Sequence, residues 1–356
     1  MSPTGVRLLF YTHYNCPMQN QWDNIVGHEW ATQLMASAIE NDRLGHAYLI
    51  TGPRQVGRST LARTFAQAIN CESPAAEYRP CGQCRSCTLI NSDRHPDVRL
   101  VEPEVSSRGK LTLKIESIRE LLHDLSLASY EAKYKVIILK DFEAATAGAA
   151  NAFLKTLEEP PARVILILTA KDADTLLPTI ASRCRTIGLR PLPPELIEQS
   201  LISRWHVDED DAHLISRLAD GRLGWAVQAG ESKTMLALRE QHLDLLYAAL
   251  DGNRITRFAV ADKMAKKSET IPDIIKSWLS WWRDAVLLGQ QAAGHHAFEL
   301  AISNIDQRRR LDQMSRKAAP KQLYACFEQT NQALWQLEHN ANTRLVLENL
   351  FLTYPL

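Results

Sequence analysis

The chain has 356 residues, 45% hydrophobic and 23% charged. It can bury a sizeable core but is too long for one ordinary domain, so two or three domains are expected. Lys and Arg together number 41, as do Asp and Glu, which excludes nucleic-acid or membrane binding driven by bulk charge and leaves only local patches. The longest apolar stretches fall far short of the roughly 20 residues a bilayer crossing needs. The first 20 residues also lack an apolar run ending in a small-residue cleavage site. A soluble, cytoplasmic protein with no membrane partner and an irregular extension over residues 1–20 is expected.

Between residues 46 and 192, five short β-rich runs alternate with longer amphipathic segments: 46–51, 97–102, 135–139, 163–169 and 185–189. That rhythm predicts an α/β fold with a parallel sheet. Val136-Ile-Ile-Leu139 and Val164-Ile-Leu-Ile-Leu168 are apolar at every position, as strands covered on both faces must be.

The first run leads into Gly52-Pro-Arg-Gln-Val-Gly57-Arg58-Ser59-Thr60 and a helical pattern over 61–69. This is the order of a phosphate-binding P-loop, in which glycines let backbone N–H groups wrap phosphates, Lys neutralises them and Ser/Thr holds magnesium. Here Arg58 stands where Lys belongs, and its bulkier fork needs a different approach to the phosphates. Either the loop binds ATP weakly, or Gly52 and Gly57 only shape a turn. The third run ends in Lys140-Asp141, where an acidic pair should support magnesium and orient the attacking water. A lysine there repels magnesium. The two departures together predict a poor hydrolase, with ATP and magnesium binding in doubt.

Cys71-x9-Cys81-x2-Cys84-x2-Cys87 supplies four thiolates, the number a closed structural zinc site requires. The competing readings are a helical core stripe, and a nucleic-acid-binding ribbon using Arg85 and Lys110. Pro80 and Gly82 favour a metal knuckle, and a site with no open position is structural. His95-Pro-Asp97 precedes a strand and reads as a turn.

After Pro191-Leu-Pro-Pro194 the strand signal stops and helices follow, first over 195–205 and 210–218, with a second break near Gly230. Trp278, Trp281, Trp282 and Trp335 lie among helical repeats of Leu, Ala and Ile, and Trp278 and Trp282 share one face, which marks core. Arg308-Arg-Arg310 and the lysines at 317 and 321 read as solvated faces, with DNA contact the alternative.

Several motifs together resemble the AAA+ clamp-loader subunits of bacterial DNA polymerase III. They are Trp22-x2-Ile25-Val26-Gly27-His28, Arg43-Leu-Gly-His-Ala-Tyr-Leu49, Pro80-Cys-Gly-Gln-Cys-Arg-Ser-Cys87, His95-Pro-Asp97, Asn151-Ala-Phe-Leu-Lys-Thr-Leu-Glu-Glu-Pro-Pro161 and Ser182-Arg-Cys184. The resemblance implies an AAA+ domain with a zinc module (71–87) over 21–190, a helical lid over 191–240 and a helical collar over 241–356. Motor subunits of this family keep the P-loop Lys, the Asp-Glu pair and a lid Arg where Gly224 stands. Loss of all three resembles the delta prime branch, which the resemblance implies is stator-like, assembles with delta and tau/gamma subunits, and meets the sliding clamp and primed DNA through the complex. It also makes Arg183 the candidate arginine finger acting in trans, a role that suits a guanidinium beside a transferring phosphoryl group. The alternatives are a surface ion pair for Arg183, an active clamp-loader ATPase using Arg58 and Asp141, and a zinc-containing DNA-binding protein on a degenerate P-loop fold. Thr169 only partly matches the polar sensor expected after the fourth strand, and Cys184 is expected to be packed.

Overall fold

The computed structural model describes residues 21–74, 79–105, 111–126, 128–266, 270–292 and 301–355. The expected extension over 1–20 and Lys110 lie outside the described residues. The chain forms two compact units. One takes the chain up to Thr51 with Arg58–Glu104 and Leu111–Gly188; the other is Leu189–Leu356 with the segments Gly52–Gly57 and Val105–Lys110.

The first unit runs through α1 (Glu29–Glu40), β1 (Ala47–Thr51), α2 (Arg58–Asn70), α3 (Arg85–Asn91) and β2 (Val98–Val101). β3 (Glu104–Val105) and β4 (Leu111–Thr112) pair as a short ribbon. Then come α4 (Ile115–Ser126), β5 (Lys135–Leu139), α5 (Ala147–Glu158), β6 (Val164–Ala170), α6 (Pro178–Ala181) and β7 (Arg185–Gly188). The main sheet is parallel throughout, in the order β2-β5-β6-β1-β7, which is the α/β architecture expected of a P-loop domain. β6 is buried at all seven positions, and its β-branched and leucine side chains serve both faces, so it lies in the middle of the sheet. Leu49, Leu139 and Leu168 sit at matching register, in a core closed by Phe142 and Phe153. Thr146 starts α5 by accepting the Ala149 N–H, and the Pro160-Pro161 pair follows its end.

The second unit is helical: α7 (Pro194–Trp205), α8 (Glu209–Leu218), α9 (Leu223–Glu231), α10 (Thr234–Asp251), α11 (Arg254–Ala265), α12 (Ile271–Ala292), α13 (Arg308–Lys317), α14 (Pro320–Glu338) and α15 (Thr343–Thr353). Asp208, Asn253 and Asn342 cap three of these helices, and proline opens α7 and α14. α9 runs through Gly230, and α10 runs unbroken past residue 240 because it holds neither Gly nor Pro.

Trp278, Trp281 and Trp282 are fully buried together with Phe351 and Tyr354. Trp335 is half exposed and stacks on His339 at 4.1 Å. Arg257, 2% exposed, donates to the carbonyls of Ala249, Phe351, Tyr354 and Pro355 at 2.8–3.0 Å, tying α15 to α11. Four carbonyls satisfy its N–H groups, which lets the charge stay buried. Among the described residues, no helix is long and apolar enough to cross a membrane.

Candidate functional site

Gly52 and Gly57 hold φ of +142° and +115°, backbone that only glycine adopts without strain. A side chain at Gly52 would meet the Leu189 carbonyl at 2.6 Å. Within the same unit, the Gln55 carbonyl accepts the Gly224 N–H at 2.8 Å, and the Gln55 amide donates to Gln228 at 2.8 Å. The loop is therefore tied to α9. A Cβ at Gly224 would approach the Gln55 carbonyl to 2.9 Å, so a lid arginine cannot be placed there without moving the loop. Arg222 instead turns onto the Ala219 carbonyl and the Trp225 ring.

In the first unit Arg58 opens α2 with its side chain 6% exposed, and it donates to Asp141 Oδ1 at 2.8 Å. The cation at the expected P-loop Lys position is thus paired with the residue at the expected acidic-pair position. Its Nη1 is buried without a hydrogen-bond partner. Asp141 holds φ +45°, a left-handed conformation that aspartate tolerates better than most residues. Its N–H is held by the hydroxyl of the buried Thr169 at 3.0 Å, which gives the expected sensor position a structural task. Lys140 turns to Glu102 at the end of β2. Ser59 is half-buried and Thr60 exposed in the first turn of α2.

The four cysteines converge: Cys71, Cys81, Cys84 and Cys87 place their sulfurs within 4.8 Å of one another. The N–H groups of Cys81, Cys84 and Cys87 point at the sulfurs of Cys71, Cys81 and Cys84 at 3.3–3.4 Å. Gly82, at φ +69°, turns the knuckle between Cys81 and Cys84. Burial pushes the Cys87 and Cys71 thiols up, helped by repulsion from neighbouring sulfurs. At Cys81 the N–H groups outweigh burial and bring the thiol down to about 7. A shared dication lets all four ionise together, so the donor set fits one soft divalent metal with no open position. The helical-stripe reading does not hold, because Cys84 is the N-cap of α3 and Cys81 lies before the helix. Arg85 pairs with Glu131 at 3.4 Å. Among the described residues the cysteines form no disulfide.

Arg183 follows α6 and keeps about a third of its side chain exposed. It donates from Nη2 to Glu158 Oε1 at 2.7 Å and from Nη1 to the Thr179 carbonyl at 2.8 Å. The surface ion pair weighed from the sequence therefore exists within the chain. Glu158 belongs to the Asn151–Pro161 motif, but its partner 25 residues away was not legible in it. Cys184 packs against the sheet core, and burial raises its thiol to about 11.

His95-Pro-Asp97 is more than a turn. Burial tends to raise the Asp97 pKa, but N–H groups of Tyr130, Glu131 and Ala132, each at 2.8 Å, prevail and lower it. His95 accepts the Asp97 N–H at 3.1 Å. Of the basic clusters, Arg308 pairs with Asp312, while Arg310 pairs with Asp251 and covers the Tyr247 ring at 4.0 Å.

Comparison with known proteins falls on the same stretch. The family described as "DNA polymerase III, delta subunit" matches residues 27–193. DNA polymerase III subunit delta' of Bacillus subtilis is 38% identical over 172 residues, 48% of this chain and 50% of that protein. Subunit tau of Salmonella typhimurium is 35% identical over 205 residues, 56% of this chain and 31% of that protein. The chain thus spans half or less of the curated relatives it matches. Among solved structures, a gamma subunit-related protein of Thermotoga maritima superposes with a TM-score of 0.46 at 20% identity, over 90% of this chain and 97% of that one. Over residues 27–193 the chain is similar to the clamp-loader subunits of bacterial DNA polymerase III, delta prime and tau/gamma proteins among them.

Proposed function

We propose that the chain is a delta prime-like subunit of the DNA polymerase III clamp loader that hydrolyses little or no ATP itself. In this reading it lends Arg183 to the ATP site of a neighbouring motor subunit while the sliding clamp is loaded onto primed DNA in the cytoplasm. The observation that carries the proposal is the ion pair between Arg58 and Asp141. A P-loop cation bound to its own chain's carboxylate has lost the charge that should meet a phosphate, and that carboxylate is no longer free to orient water. Lys140 supplies no carboxylate where magnesium needs one, and it is itself paired with Glu102. The tie between Gln55 and Gly224 supports the same reading, since the lid carries no arginine at that position.

The useful chemistry is then outward. A guanidinium offers planar paired donors to a phosphoryl group and stabilises charge developing on it, and Arg183 stands partly exposed on a short, fixed element. Cys71, Cys81, Cys84 and Cys87 would hold a structural zinc ion that shapes the segment after α2, with no catalytic step assigned to it. Residues 191–240 serve as the lid and 241–356 as the collar through which the chain meets tau/gamma and delta subunits. The test is reconstitution with cognate delta and tau/gamma, alongside ATP turnover by the isolated chain. Assembly with the partners and no turnover alone supports the reading. Magnesium-dependent turnover alone, abolished by Ser59→Ala, would identify an active ATPase instead.

A further inference from the structure

The geometry points to Glu158 as the positioning residue for Arg183, fixing the guanidinium's direction before any partner arrives. This rests on the proposed trans role of Arg183. Arg183 is held at two separate nitrogens, Nη2 by the Glu158 carboxylate at 2.7 Å and Nη1 by the Thr179 carbonyl at 2.8 Å. Its backbone N–H is bonded to the Ile180 carbonyl at 3.1 Å. Two contacts on one planar group remove its freedom to rotate about the terminal bonds. The guanidinium has five N–H donors, so Nε and one hydrogen on each terminal nitrogen stay open to an incoming anion.

The location of Glu158 strengthens the inference. It is the last residue of α5, where the helix dipole favours a cation and a carboxylate is electrostatically misplaced. Helix stability alone gives no reason for an acid there; a bond to Arg183 does. Glu158 is itself half exposed, so its replacement removes little packing. A long arginine held only at its backbone samples many rotamers, and a catalytic group displaced by an ångström loses much of its effect. Glu158 keeps the population in one orientation without touching the phosphate.

The experiment uses the complex reconstituted with delta and tau/gamma, and defines the Arg183-dependent turnover as the difference between wild type and Arg183→Ala. Glu158→Ala and Glu158→Lys are expected to lower the kcat of that component about tenfold or more, with KM for ATP and assembly unchanged. Glu158→Gln, whose amide oxygen accepts the same N–H, is expected to recover most of it. Glu158→Ala combined with Arg183→Ala should be no worse than Arg183→Ala alone. If Arg183→Ala is impaired while Glu158→Ala turns over at or above the wild-type rate, the positioning role is wrong and the proposed function stands. If Arg183→Ala is fully active, both fail.

Discussion

Replacing Asp141 by Asn tests the ion pair that holds Arg58. Asn tolerates the left-handed backbone at φ +45°, so the change removes a charge with little added strain. Arg58 is then left 6% exposed beside a neutral amide, with Nη1 already lacking a partner. Removing one member of a fully buried ion pair costs about 3–5 kcal/mol, and of an exposed pair about 1 kcal/mol or less. Asp141 is 23% exposed, which places the expected loss between these limits, at about 2 kcal/mol. Arg58→Met removes both the charge and the unpartnered N–H, so in that background Asp141→Asn should cost only about 0.5 kcal/mol, leaving a coupling near 1.5 kcal/mol. Because the chain has two units, whole-chain melting is a poor readout. Hydrogen exchange of peptides covering α2 and β5 reports the first unit directly. Equal protection in wild type and Asp141→Asn would show that Asp141 does not hold Arg58, and the argument for an occupied P-loop cation would be lost.

Three further outcomes follow from the same unit. Metal analysis should find one zinc per chain, and its verified removal should expose the 71–91 segment to proteolysis and exchange without altering the chemistry of turnover; unchanged proteolysis, exchange and assembly after metal loss would contradict this. Asp97→Ala should cost about 3 kcal/mol, because three N–H groups lose the charged acceptor that the buried Asp97 carboxylate gives them, and a loss under about 1 kcal/mol would contradict the assignment. For pH, burial lowers the His95 pKa from its ordinary 6.5 even against Glu131 and Asp97, and that of Asp97 lies below 3.8. Both depressed values contribute stability above the unfolded pKa that is lost as pH falls through the folded one. Denaturation against pH should therefore show stability declining from about pH 6.5, with a second loss below about pH 4 that Asp97→Asn removes.

What the residues announced and what they concealed divide along sequence distance. β5 and β6 were legible because each is a continuous apolar run, a pattern that in a chain of this rhythm has one explanation. The cysteine knuckle was legible from spacing and from Pro80 and Gly82, and the altered P-loop from the identities of Arg58 and Lys140. The consequence of those identities was not: that Arg58 would turn onto Asp141, 83 residues away, depends on a strand order no local pattern encodes. Asp97 read as a turn because its three N–H partners lie 33–35 residues downstream. Glu158 was in view within a motif, yet its link to Arg183 needed α5 and α6 side by side. Trp335 resembled its core neighbours by composition, and the exposed face of α14 placed it outside.

The most direct test of the central claim is clamp- and primer-stimulated ATP turnover by the reconstituted complex, comparing wild type with Arg183→Ala at equal assembly. A trans arginine is worth about 10³-fold or more at the site it serves. The account predicts that the assembled mutant loses most of the stimulated turnover. Equal turnover by both would make Arg183 a structural partner of Glu158 and contradict the account.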